Sequence, residues 1–195
     1  FFMPIVALCI SAVALIATLQ PYRLARLTAF ADPWEHQFDS GYQLTQALIA
    51  FGRGEWIGLG LGNSIQKLFF LPEAHTDFLF SIIAEELGVI GAGLVILLFA
   101  WLVVRGLAIG NEARSKEMNF HAYLAYGIAL VIGIQASINL GVNLGILPTK
   151  GLTLPFMSYG GNSLIISSMM IAILLRIGFE TRLTQVDKRG KRGHG

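Results

Sequence analysis

Charge is what this sequence has least of. Asp, Glu, Lys and Arg make up 13% of its 195 residues, against 54% hydrophobic residues, about half the charged share of an ordinary soluble domain. Long stretches carry no charge and others concentrate nearly all of it, as in a chain that passes in and out of lipid. The single cysteine, Cys9, lies inside an apolar run, which excludes a disulfide framework and a thiolate metal site. A net charge of +2, with no basic patch interleaved with aromatics, argues against nucleic acid as a partner. No basic region and no cleavage motif precede Phe1-Phe2-Met3-Pro4, so the opening segment does not read as a signal peptide. The expectation is the C-terminal part of a longer protein, starting at or within a membrane helix.

What is present is apolar helix. Four segments, at about 2–19, 78–104, 122–146 and 156–177, are near or above the ~20 residues that cross a hydrocarbon core. The expected fold class is an all-α integral membrane protein: a polytopic helix bundle with a large loop, residues 20–77, too polar to span. Lys and Arg set its orientation. Arg105, Arg114, Lys116, Arg176, Arg182, Lys188, Arg189, Lys191 and Arg192 make nine on one side; Arg23, Arg26, Arg53, Lys67 and Lys150 make five on the other. The tail, 178–195, is therefore expected in the cytoplasm, disordered and held near anionic lipid, with loop 20–77 extracytoplasmic.

Within that loop, Tyr42, Leu44, Leu48, Ile49 and Phe51 alternate with Gln43, Thr45 and Gln46. The spacing predicts a short amphipathic helix on the membrane or on the bundle, ended by Arg53-Gly54. Gly58, Gly60 and Gly62 follow. They form no dinucleotide fingerprint; they read either as a tight turn between surface helices or as backbone approaching a phosphate near Lys67.

The densest polar cluster is Lys67, then Glu73, His75, Thr76 and Asp77 ahead of the apolar run from Phe78. Thr76 or Asp77 in that position is what a helix N-cap looks like. A carboxylate at a lipid–water boundary is also what a general base for a hydroxyl requires. Glu85 and Glu86 follow two turns further on, roughly 12 Å deeper at about 1.5 Å per residue. Intramembrane carboxylates are either interhelical partners or functional groups. In the third segment Gly133, Ser137, Gly141 and Gly145 form a small-residue ridge. Gln135, Asn139 and Asn143 form a polar one about 200° around the axis, for interhelical bonds or a wet cavity. Lys150 is the only charge of the last loop, between Pro148 and Pro155, which leads into Ser158, Tyr159 and Asn162. A cation beside flexible polar backbone suits a pyrophosphate; a re-entrant turn with a solvated lysine is the competing reading.

These motifs, in order, carry a resemblance. Gly60-Leu-Gly-Asn-Ser-Ile-Gln-Lys67, Leu71-Pro-Glu-Ala-His-Thr-Asp-Phe78, Ala84-Glu-Glu-Leu-Gly88, Leu147-Pro-Thr-Lys-Gly-Leu-Thr-Leu-Pro155 and Ser158-Tyr-Gly-Gly161 resemble the SEDS family (shape, elongation, division and sporulation) over nearly the whole chain. Ala74, Lys67 and the lysine of Pro-Thr-Lys150-Gly are similar to its cell-division branch rather than its elongation branch.

The resemblance implies ten membrane helices, of which these would be the last four. It implies a peptidoglycan glycosyltransferase that polymerises lipid II into glycan strands at the division septum of a bacterial inner membrane and releases undecaprenyl pyrophosphate. The family's essential aspartate maps onto Asp77, as base or orienter for the attacking hydroxyl. Lys150 matches a loop lysine of the division branch, expected at the pyrophosphate or a neighbouring loop. Lys67, Glu73, His75, Ser158, Tyr159 and Asn162 are candidates for the cleft wall, with Glu85 and Asn143 behind it. Asn162 departs from the serine usual there. The implied partners are a class B penicillin-binding transpeptidase and other division-complex membrane proteins. A divalent cation (Mg or Mn) could assist the leaving pyrophosphate, but no ligand spacing singles out a metal site. Two other functions stay open: a flippase for the lipid-linked precursor, which needs a polar path across the bilayer, and a division scaffold, which would tolerate loss of Asp77.

Overall fold

In lipid every backbone polar group must be satisfied within the chain, which leaves a long apolar segment little choice but helix. The computed structural model describes residues 28–69, 71 and 75–192. The helix expected at 2–19, Arg23, Arg26 and the candidate Glu73 lie outside the described residues. In chain order the helices are α1 (Tyr42–Gly54), α2 (Ile65–Phe69), α3 (Leu79–Ser115), α4 (Asn119–Asn143) and α5 (Gly161–Arg192). Three of them, α3, α4 and the part of α5 up to Leu183, are long and apolar enough to cross a membrane. Leu97, Trp101, Val104, Val131, Ile134, Ile165 and Met169 stand exposed along them, as side chains facing lipid do.

The helix limits depart from the expected ones, each for a local reason. Helix α3 runs to Ser115 rather than stopping near 104, because Arg105, Glu112 and Arg114 end the apolar run without ending a helix. Helix α4 spans 119–143 rather than 122–146. Gly145 (φ 69°) closes it, with Gly145 N–H donating to Val142 O and Ile146 N–H to Gly141 O, a Schellman motif. Helix α5 starts at Gly161 rather than 156, after a turn in which Phe156 takes φ 66°. It continues to Arg192, so the segment expected to be disordered from 178 is helical up to there.

A larger departure lies inside α3. Gly88 has φ 68° and ψ −169°, a conformation that is essentially glycine-only, and the helix breaks there. The released groups find partners in the turn after α1. Leu59 N–H donates to Glu85 O and Gly60 N–H to Glu86 O, while Val89 N–H donates to Glu55 O and Ile90 N–H to Trp56 O. Gly58 (φ 85°) permits this approach, since a Cβ there would overlap the Glu86 carbonyl. The glycine series is thus a tight turn, and the backbone it approaches is that of α3. The uncharged run is 87–104, 18 residues or about 27 Å, so the Glu85 and Glu86 carboxylates sit at its end.

Helices α3 and α4 pack antiparallel around Phe80, Ala92, Val95, Phe99, Ile128 and Ile132. Helix α1 lies on the bundle: Leu44, Ala47 and Ala50 are buried, and Phe51 meets Phe80 with ring centroids 5.5 Å apart. The small-residue ridge of α4 takes Val103 against Gly133 and Leu147 against Gly141. Val103, Gly133 and Leu147 border an open apolar hollow of about 550 Å³.

Candidate functional site

The breaks in helical backbone gather at one end of the bundle, hereafter the loop end. Asp77 occupies the turn just before α3. In an unbroken helix its carbonyl would accept from Ser81 N–H. Here the side-chain amide of Asn143, from α4, is inserted between them. Asn143 Nδ2 donates to Asp77 O at 2.9 Å, and Ser81 N–H donates to Asn143 Oδ1 at 3.1 Å. The N-cap position of α3 falls on Phe78, one residue past Asp77, and Phe78 has no side-chain cap bond of its own. An amide carries both a donor and an acceptor, so one Asn can serve both groups; Ser81 N–H also donates to Phe78 O at 3.2 Å.

The other members of the polar ridge extend the same arrangement. Asn139 Nδ2 donates to Asp77 O at 2.9 Å and to Leu152 O at 2.5 Å, and Gln135 Nε2 donates to Thr153 O at 3.0 Å. Asn143 Nδ2 also donates to Asn139 O at 2.9 Å. The ridge therefore makes interhelical and helix–loop bonds rather than lining a wet cavity. It brings the loop over Asp77: a Cβ on Gly151 would lie 3.1 Å from Asp77 Oδ2. Lys150, next in the chain, is exposed.

The remaining candidates divide. Tyr159 N–H donates to His75 O at 2.8 Å, joining the last loop to the segment before Asp77. His75, Phe156, Met157, Tyr159 and Leu164 line a pocket of about 410 Å³, and His75, Tyr159 and Asn162 are exposed. Ser158 borders the same pocket although it is only 1% exposed, and its hydroxyl accepts Leu154 N–H at 2.8 Å, which also holds the loop's own turn. Lys67 is exposed on α2, and among the described residues no hydrogen bond or ion pair joins its side chain to the Asp77 group.

Glu85 is fully buried. Its Oε2 accepts Ser64 Oγ–H at 2.5 Å, and its Oε1 faces Arg53 Nε at 3.8 Å. Ser64 Oγ in turn accepts Lys67 N–H at 3.1 Å, capping α2. Glu85 thus ties α1 and α2 to α3, an interhelical role. Glu86 is half-buried, with an Oε1 that has no hydrogen-bond partner among the described residues. Among the described residues no three His, Cys, Asp or Glu side chains converge as a metal site. The residues that residue-type reasoning passed over are Gly88, Gly151, Ser64 and Arg53. An isolated glycine within the helical pattern of Glu85-Glu86-Leu87-Gly88 was the one available signal.

Comparison with known proteins follows this geometry. The cell cycle protein family of FtsW, RodA and SpoVE matches residues 1–183. A probable peptidoglycan glycosyltransferase FtsW of Hahella chejuensis is 64% identical over 179 residues, covering 92% of this chain and 45% of the relative. A protein of the same description from Halomonas elongata is 66% identical over 169 residues, covering 87% of this chain and 43% of the relative. The chain thus spans just under half the length of these relatives. Among solved structures, a chain from a peptidoglycan synthase complex that coordinates polymerization and crosslinking superposes with a TM-score of 0.68 at 29% identity. The match covers 93% of this chain and 49% of that one.

Proposed function

Because this chain belongs to the FtsW/RodA/SpoVE family of cell cycle proteins, we propose that it carries the reacting end of a peptidoglycan glycosyltransferase that polymerises lipid II. The observation that carries this reading is the placement of Asp77. Its main-chain carbonyl is held by two buried amides, and its carboxylate lies against Gly151 beside Lys150. Asp77 accepts the proton of the attacking sugar hydroxyl as that oxygen bonds the anomeric carbon of the donor. The bond from that carbon to the pyrophosphate breaks, and undecaprenyl pyrophosphate leaves with the electron pair. Lys150, exposed on the adjoining loop, is placed to meet the negative charge that develops there. A positioned general base of this kind supplies roughly 10²–10⁴-fold in rate.

The reading extends to the setting. The loop end faces outward from the cytoplasmic membrane at the division septum, where lipid II presents its sugars, and the lysine- and arginine-rich tail lies inside. Similarity to a chain of a synthase complex supports a crosslinking partner of the class B penicillin-binding transpeptidase type. A flippase would need polar side chains free along the bilayer. Gln135, Asn139, Asn143 and Glu85 are instead bonded to Thr153, Asp77, Leu152 and Ser64.

The test uses the full-length protein in detergent with its transpeptidase partner and lipid II. Asp77→Asn is expected to abolish glycan strands while melting temperature and partner binding stay at wild-type values. Strands made at the wild-type rate would remove Asp77 as the base and return the flippase and scaffold to contention.

A further inference from the structure

Asn139 is 2% exposed and Asn143 is fully buried, and both are committed to backbone that belongs to other elements. The Asp77 carbonyl has two lone pairs, one taken by Asn139 Nδ2 and the other by Asn143 Nδ2. The second bond of the Asn139 amide goes to Leu152 O. One buried NH₂ group thus joins the peptide of Asp77 to the loop of Lys150, two residues from the lysine. The loop is not part of any helix over 144–160, so a regular ladder does not set its height over Asp77. Gly151 completes the fit, since a Cβ there would stand 3.1 Å from Asp77 Oδ2. Its φ is outside the left-handed region, so what the missing side chain provides is clearance for the carboxylate and not backbone freedom.

We infer that Asn139, backed by Asn143, is a positioning residue of the transfer reaction: its amide pins the Lys150 loop to the peptide of Asp77 and sets the carboxylate against Gly151. The inference rests on the glycosyltransferase reading and adds a residue to it that touches neither substrate. Buried amide networks specify one arrangement because each unfilled partner is costly in a low dielectric. Removing the amide takes the donor from Leu152 O and leaves Asp77 O with its bond from Asn143 alone, and the loop moves to find water or other donors.

The experiment compares wild type, Asn139→Leu and Asn139→Gln in the full-length protein with its transpeptidase partner, by lipid II polymerisation and by hydrogen exchange. In Asn139→Leu, exchange over 150–159 is expected to rise about tenfold. Misplacement of the loop is expected to lower kcat about 10–100-fold, with KM for lipid II within about threefold of wild type. Asn139→Gln, which restores an amide, is expected to recover at least half of the lost kcat on a logarithmic scale. Unchanged exchange over 150–159 overturns the pin, and raised exchange with wild-type kcat overturns its positioning role. Should Asn139→Leu fail to fold, Gly151→Ala decides the matter. It removes no hydrogen bond, so the melting temperature stays while kcat falls; a wild-type kcat there overturns the inference. Inactive wild type would instead count against the glycosyltransferase reading itself.

Discussion

At the loop end of the bundle the helical backbone is interrupted before Ser81, at Gly88 and again over 144–160, and buried partners fill the gaps. At the opposite end α3 and α4 meet in a tight turn over 116–118 and pack on α5 through Leu174 and Ile177, with partly exposed charges at the rim. Lys116 Nζ donates to Glu112 Oε1 at 3.0 Å and to Thr181 O at 2.6 Å. Glu180 pairs with His121 at 3.1 Å and with Arg176 at 2.8 Å. Beneath these pairs the helices approach closely through Ala113, Ala122 and Ala125. The difference teaches where precision is placed. Partly exposed ion pairs tolerate movement and contribute little, whereas buried amides admit one geometry. The end that uses amides is the end that holds Asp77.

Substitutions sharpen that contrast. The largest effect is expected for Asp77→Asn, with strand formation down roughly 10²–10⁴-fold at unchanged melting temperature; an equal fall in both would make Asp77 a structural residue of the loop end. Next comes Gly88→Ala, measured by denaturant or thermal unfolding in detergent. It forces a side chain into φ 68° and brings its Cβ within 2.5 Å of the Trp56 carbonyl, at a cost of about 2–4 kcal/mol. A neutral result would mean that the break relaxes into plain helix. Glu85→Ala deprives Ser64 and Arg53 of their partner and is expected to cost about 1–3 kcal/mol. Glu85→Gln keeps an acceptor for Ser64 and should lose clearly less. Were the two variants equal, the tie would reside in the charge facing Arg53. Smallest is Lys116→Ala at the far end. It is expected to cost up to ~1 kcal/mol, to shrink further in high salt, and to leave polymerisation as it was. A large loss of polymer from Lys116→Ala would show that the ends are coupled.

Much of this molecule is legible along the chain because the signals are periodic. The apolar segment at about 78–104 predicts a helix of membrane length, Tyr42 to Phe51 predicts an amphipathic helix, and Gln135, Asn139 and Asn143 predict a polar ridge, as found. The helix ends were less legible. Hydrophobicity marks where lipid stops, and α3 and α5 continue as helix past that point. Ser158 read as a residue of the cleft wall; only the structure shows that its hydroxyl also accepts Leu154 N–H and holds the loop's turn.

By itself the sequence determined that this is a membrane protein of helices, that its polar groups cluster near Asp77, and that α4 carries a polar face made either for bonds to neighbours or for a wet cavity. These follow from composition and period, which are properties of neighbours in the chain. The tertiary structure decided which groups those bonds join. The Asp77 carbonyl and Ser81 N–H, four residues apart, are bridged by an amide from Asn143, and Asp77 shares Asn139 with Leu152. Hydrogen bonding requires atoms about 3 Å apart, and for residues separated by more than sixty positions no local period encodes that distance.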